Sequence, residues 1–159
     1  MSTRREEIAA ALKSLYVAEF DGVTLDSGQT VAAIYDKLIP DVEKRSPVIV
    51  IAADGTDRSG RVIPDGYAVY GASPVAYLYR VVVMVMIASR DMKPGYTASK
   101  AYEVLSEIEE RVGNIHESNE ELENRWRVLT QQRESNIRTV SLEDGTVYLR
   151  EEIPIAIYP

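Results

Sequence analysis

A chain of 159 residues, 45% hydrophobic and 27% charged, is the size of one domain and apolar enough to bury a core, which excludes wholesale disorder. The lack of cysteine excludes disulfides and thiolate zinc sites. A net charge of −7 opposes general attachment to phosphate backbones, so a nucleic-acid reader is not expected.

In chain order, Ile8, Leu12 and Leu15 lie on one stripe and predict a helix from Arg4 to Tyr16, capped by Ser2 or Thr3 with Glu6 and Glu7 in its first turn. The two arginines at its start are not followed by an apolar core, so no secretory signal is read there. After a turn at Asp21-Gly22, Val31, Ile34 and Leu38 repeat the helical spacing weakly, and Pro40 limits any helix to about two turns. Pro47 to Ala53 carries the β-branched run Val48-Ile49-Val50-Ile51 and reads as a buried strand.

The residues from Asp54 to Pro74 then form a polar excursion rich in glycine, with a turn at Pro64-Asp65-Gly66 and a partial hairpin as one reading. Val75 to Ala88 is the strongest strand. Its 14 residues would extend about 46 Å if straight, against a diameter of about 40 Å for a domain of this length, so it is expected to bend or to meet something outside its own domain. It is broken by Arg80 and too short to span a bilayer, which takes roughly 20 apolar residues.

Gly95 to Val112 is the best helix, with Ala98, Ala101 or Tyr102, Leu105, Ile108 and Val112 on one stripe and Gly113 as its expected stop. Trp126 to Thr130, Ile137 to Leu142 and Val147 to Tyr158 alternate like half-buried antiparallel strands, the last two joined at Glu143-Asp144-Gly145. Pro154 is expected to place the final strand at a sheet edge. The order implies a single α+β domain over residues 1–159, with a mixed, largely antiparallel sheet and helices packed on one face.

The chain carries few groups with recognisable chemistry. Asp54 and Asp57 follow a buried strand and offer carboxylates to a hard cation, but the Asp54 to Gly60 loop lacks calcium-loop spacing and a phosphate-loop lysine, and reads as an ordinary polar loop. His116, the only histidine, has no nucleophile elbow elsewhere in the chain and reads as a solvated loop residue after the helix stop. No catalytic residue, cofactor or metal is expected. Ten tyrosines against one phenylalanine, with Tyr67, Tyr70, Tyr77 and Tyr79 around the excursion and the long strand, suit either a contact surface or a partly exposed sheet face. The acidic run from Glu103 to Glu123 is ordinarily a solvated helix face. Its sharper reading is a negative lining for a passage, with Glu103, Glu107 and Glu110 facing the lumen.

The opening helix, the Val48-Ile49-Val50-Ile51 strand, the excursion, the strand Tyr77 to Ile87, the helix to Val112 and the closing Glu152-Ile153-Pro154-Ile155-Ala156-Ile157 together resemble the tail terminator, or tail completion, proteins of long-tailed bacteriophages. The resemblance lies in organisation over the whole chain. It implies an α+β subunit without catalytic residues, found in the host cytoplasm during assembly and in the virion neck afterwards. It also implies a homo-oligomer, a ring of six that caps the tail tube, meets the head-tail connector and lets DNA pass without specific binding. Another neck or tail adaptor, or a small enzyme or ligand-binding domain using the 54–60 loop, are the alternatives.

Overall fold

The computed structural model describes residues 3–37, 45–58, 75–88, 98–132, 134–143 and 145–159. The first helix, α1 (Arg4–Phe20), begins in a capping box: Thr3 Oγ1 accepts from the Glu6 amide at 3.2 Å, and Glu6 Oε2 accepts from the Thr3 amide at 2.7 Å. Its stripe of Ile8, Leu12, Tyr16 and Phe20 repeats every four residues and is buried, carrying the helix one turn past the Tyr16 limit expected from the sequence. Tyr16 and Phe20 supply that extra turn because both are core side chains.

The strands are β1 (Ala33–Tyr35), β2 (Val48–Asp57), β3 (Ala76–Ala88), β4 (Val128–Gln131), β5 (Asn136–Ser141) and β6 (Val147–Tyr158). Among the described residues they make one six-stranded sheet in the order β1-β2-β3-β6-β4, with β5 also paired to β6. β1 runs parallel to β2, and every other pairing is antiparallel. The weak helix expected over Val31 to Leu38 is thus corrected at Ala33–Tyr35, where the backbone is extended and paired to Val48–Val50. Three residues are too few for periodicity to tell a strand from a helix.

The second helix, α2 (Ala98–Ser118), runs through Gly113 rather than stopping there. Its buried stripe of Ala101, Leu105, Ile108, Val112 and Ile115 continues across the glycine, and packing outweighs a propensity cost of about 1 kcal/mol. Both helices lie on one face of the sheet. Their apolar stripes join Ile49 and Ile51 of β2, Tyr79, Val81, Val83 and Val85 of β3, and Leu149, Ile153, Ile155 and Ile157 of β6 in a single core. The opposite face carries a smaller cluster of Val48, Val50 and Val82, flanked by Ala33, Tyr35 and Met84. The fold is α+β, with a mixed and mainly antiparallel sheet.

Two strand expectations are corrected. β3 does not overhang its domain: β6 pairs with it from Tyr77 to Ala88 and β2 from Ala76 to Met84, and beyond β2 the Met86 amide donates to Ser46 Oγ at 2.7 Å. Its length is matched by a 12-residue β6, so no neighbour is needed to satisfy it. Nor does Pro154 put β6 at an edge. β3 occupies one flank of β6, while β4 pairs with Val128↔Tyr158 to Gln131↔Ile155 and β5 with Asn136↔Glu152 to Ser141↔Val147 on the other. Pro154 falls between these two short partners, and its carbonyl accepts from the Gln132 amide on that same flank at 2.9 Å. The missing proline N–H therefore faces the break between β4 and β5, where no ladder bond is lost.

Candidate functional site

The residues singled out by sequence do not converge on one place. Tyr67 and Tyr70 lie outside the described residues, as does all of the excursion from 59 to 74. Tyr79 is 1% exposed on the helix side of β3, with its hydroxyl donating to the Arg5 carbonyl at 2.7 Å, so it belongs to the core and not to a contact surface. Burial pushes its phenol well above the usual range, with Arg5 only partly offsetting this. Tyr77, two residues earlier on the same face, is partly buried against the core, and the Arg5 guanidinium lies 5.6 Å from its ring centroid.

The Asp54 to Gly60 segment is strand as far as Asp57. Ala53 pairs with Tyr79 and Gly55 with Leu78, leaving Asp54 as the extra residue of a bulge whose Gly55 has φ 124°, a conformation that favours glycine. The bulge turns the Asp54 carboxylate toward Arg80, whose Nε donates to it at 3.0 Å. Arg80 also reaches Glu152 at 2.8 Å, and Glu152 takes Arg150 at 2.9 Å and Arg138 at 3.6 Å. Alternating charges thus cross β2, β3, β6 and β5 on the face away from the helices. Arg80's guanidinium is held above its usual range by the Asp54 hydrogen bond and charge, then by Glu152. Asp54 is committed to an arginine. Among the described residues, no group of three or more His, Asp or Glu side chains is placed to hold a metal ion.

Glu103, Glu107 and Glu110 share one side of α2 but do different work. Glu103 and Glu110 are exposed, and Glu103 lies 3.5 Å from Lys100. Glu107 is a clamp. Its two oxygens accept the Asp26 and Ser27 amides at 2.7 and 2.8 Å, and Arg111 sits 3.2 Å away, so the loop after α1 is tied to α2. Burial alone would raise its carboxyl, but the Ser27 and Asp26 hydrogen bonds and Arg111 hold it below the usual range. A free lumen-facing role for Glu107 is therefore corrected, because both of its oxygens are already engaged.

His116 is the largest departure from expectation. It lies inside α2, 3% exposed, with Nε2 2.5 Å from Tyr16 Oη and Nδ1 2.8 Å from Gln131 Oε1. The Gln131 oxygen accepts from Nδ1–H, which leaves Nε2 to accept from the tyrosine hydroxyl, so the neutral ring satisfies both contacts. Burial lowers its basicity, with the Gln131 bond working against this. His116 borders an open groove of about 580 Å³ between α2 and β4, edged by Glu110, Glu117 and Glu120. A general base needs a ring nitrogen aimed at its substrate, and here both are engaged within the fold. The ring is a cross-link between α1, α2 and β4. Its signal in the sequence was the apolar stripe continuing through Ile115 beyond Gly113.

β5 is an exposed margin of the sheet. Five of its six residues are exposed, and Ile137 shows 42% of its surface. Among the described residues its outer flank has no strand partner. No helix among them is long and apolar enough to cross a membrane. No protein-family model matches the chain, and no curated protein matches it in sequence.

Proposed function

We propose that the chain is a structural subunit of a bacteriophage tail, a tail terminator whose copies form a ring, of six by the resemblance, that closes the tail tube and joins it to the head connector. The observation that carries this reading is the exposed β5 margin. A sheet edge with no strand partner among the described residues and an apolar Ile137 is a surface that another chain can continue. A copy of the same chain, docked head to tail, gives a ring when the rotation closes. The α+β order of elements, on which the resemblance was drawn, supports the same reading. Tyr77 and Ile137 are the contact residues assigned to it, and Glu103 and Glu110 the acids left to face a passage for DNA. The alternative of a small enzyme built on the 54–60 loop is disfavoured by the engagement of Asp54 with Arg80.

Light scattering and negative-stain micrographs of the purified protein, alone and with tail tubes, test the reading. Closed rings are expected, with Ile137→Asp giving a folded protein by circular dichroism that no longer assembles or completes tails. A wild-type chain that stays monomeric at high micromolar concentration and on tubes would sink the ring. An Ile137→Asp protein that still completes tails would sink the β5 contact alone.

A further inference from the structure

β4 ends the sheet: β6 pairs with one of its flanks, and among the described residues no strand pairs with the other. That outer flank and α2 are the two walls of the groove of about 580 Å³ beside His116. The Leu129 amide donates to the Glu120 carbonyl at 2.7 Å, so the chain after α2 closes the flank at that point. The four residues of β4 offer about 13 Å of edge at roughly 3.3 Å per residue.

Gly113 lines the groove from within α2, and a Cβ built there meets nothing within 4 Å, so the missing side chain leaves room and does not serve a close approach of backbones. From β4, Gln131 Oε1 accepts from His116 Nδ1 at 2.8 Å. The buried ring thereby fixes the glutamine amide, whose NH2 is left to donate to a carbonyl in the groove. On the rim, Glu110, Glu117 and Glu120 are exposed and have no ion pair among the described residues, whereas Glu103, Glu107 and Glu152 each face a cation. No lysine or arginine lines the groove. Glu110 and Glu117 stand two turns apart, about 10 Å along the helix, too far to share one ion.

We propose that this groove binds an extended segment of a partner protein, one whose basic side chains meet the glutamate rim while its backbone runs along the outer flank of β4. A strand edge selects extension, because main-chain hydrogen bonds hold a peptide that continues the sheet while the side chains around it choose the sequence. The rim sets the sign of the charge. An acidic segment would meet three like charges, whereas a basic one relieves them. A second copy of this chain is a poorer match: its exposed strand β5 carries one arginine, Arg138, which already reaches Glu152 at 3.6 Å. The inference does not depend on the function proposed above.

Titration with a short blocked peptide that alternates lysine and valine tests it, followed by NMR through backbone amides and through the ring of His116, the one histidine of the chain. Saturable shifts at His116, Gln131 and the rest of β4 are expected, with affinity falling about tenfold between roughly 0.05 and 0.3 M salt as the charges are screened. The counterpart peptide with glutamate in place of lysine should not bind. Glu117→Lys should weaken binding about tenfold or more. Gly113→Met should block it and keep the native circular dichroism, since the space beside Gly113 is open. Shifts confined to other surfaces, equal binding of the acidic peptide, or unchanged affinity in folded Glu117→Lys or Gly113→Met would overturn the proposal. So would concentration-dependent shifts of the same signals without peptide, which would assign the groove to a second copy. Should a variant fail to fold, the wild-type titration with the two peptides still decides.

Discussion

Tyr16 and His116, 100 positions apart in the chain, meet with Oη 2.5 Å from Nε2 in the buried seam between α1 and α2. Their rings lie 5.8 Å apart at 55°, so the pair is held by a hydrogen bond more than by stacking. Tyr16→Phe keeps the ring and removes the hydroxyl, which leaves Nε2 without a partner in a shielded place. The expected loss is about 1–3 kcal/mol in urea unfolding.

His116 also gives the fold a pH dependence, and its cause is burial. Burial lowers His116 below 6.5, so the unfolded chain takes up a proton first as pH falls, and stability drops from about 6.5 downward through the folded value. Melting temperature followed from pH 7.5 to 5 should show this fall. His116→Gln should flatten it.

Gly113 sits mid-helix, and a Cβ built on it meets nothing within 4 Å. Gly113→Ala should therefore raise stability by about 0.4–1 kcal/mol, through a less flexible unfolded chain and a better helix former. Chemical denaturation measures it. A loss of stability would show that α2 does not run straight through this position.

Glu107→Gln keeps the shape but not the charge of the clamp on the loop after α1. Amide exchange at Asp26 and Ser27 should quicken severalfold while the core of α2 is unchanged, with a global loss of about 1 kcal/mol. Equal exchange in both proteins would mean that Gly22 and Gly28, not the carboxylate, set the loop's conformation.

Val83→Asp places a carboxylate at the centre of β3, opposite Ile49 on one side and Glu151 on the other. It should abolish the native far-ultraviolet circular dichroism, since an unpaired charge would sit beside a second buried acid.

Much of the fold was legible because its signals were local. The β-branched run at Val48–Ile51 and the valines of β3 could be little other than buried strands, and the turn at Glu143-Asp144-Gly145 announced the last hairpin. Sequence reasoning failed where position depends on partners distant in the chain. Pro154 reads as an edge residue until the gap between β4 and β5 is seen, and Tyr79 reads as a surface tyrosine until Arg5 takes its hydroxyl. Glu151 was missed although strict alternation from Leu149 to Ile153 puts it inward, because two adjacent glutamates look like a solvated patch. His116 was misplaced by treating a glycine as a full stop despite a continuing stripe.

The break at Pro154 also bears on how this sheet margin is kept from aggregating. Had one unbroken strand lined the outer flank of β6, the sheet would have offered a long flat template, open to slipped registers and to endless lateral growth. Instead the described strands divide that margin into a four-residue and a six-residue piece, separated opposite Pro154. A partner strand finds only a short rail with defined ends, so the geometry favours contacts of a single register and works against fibre growth.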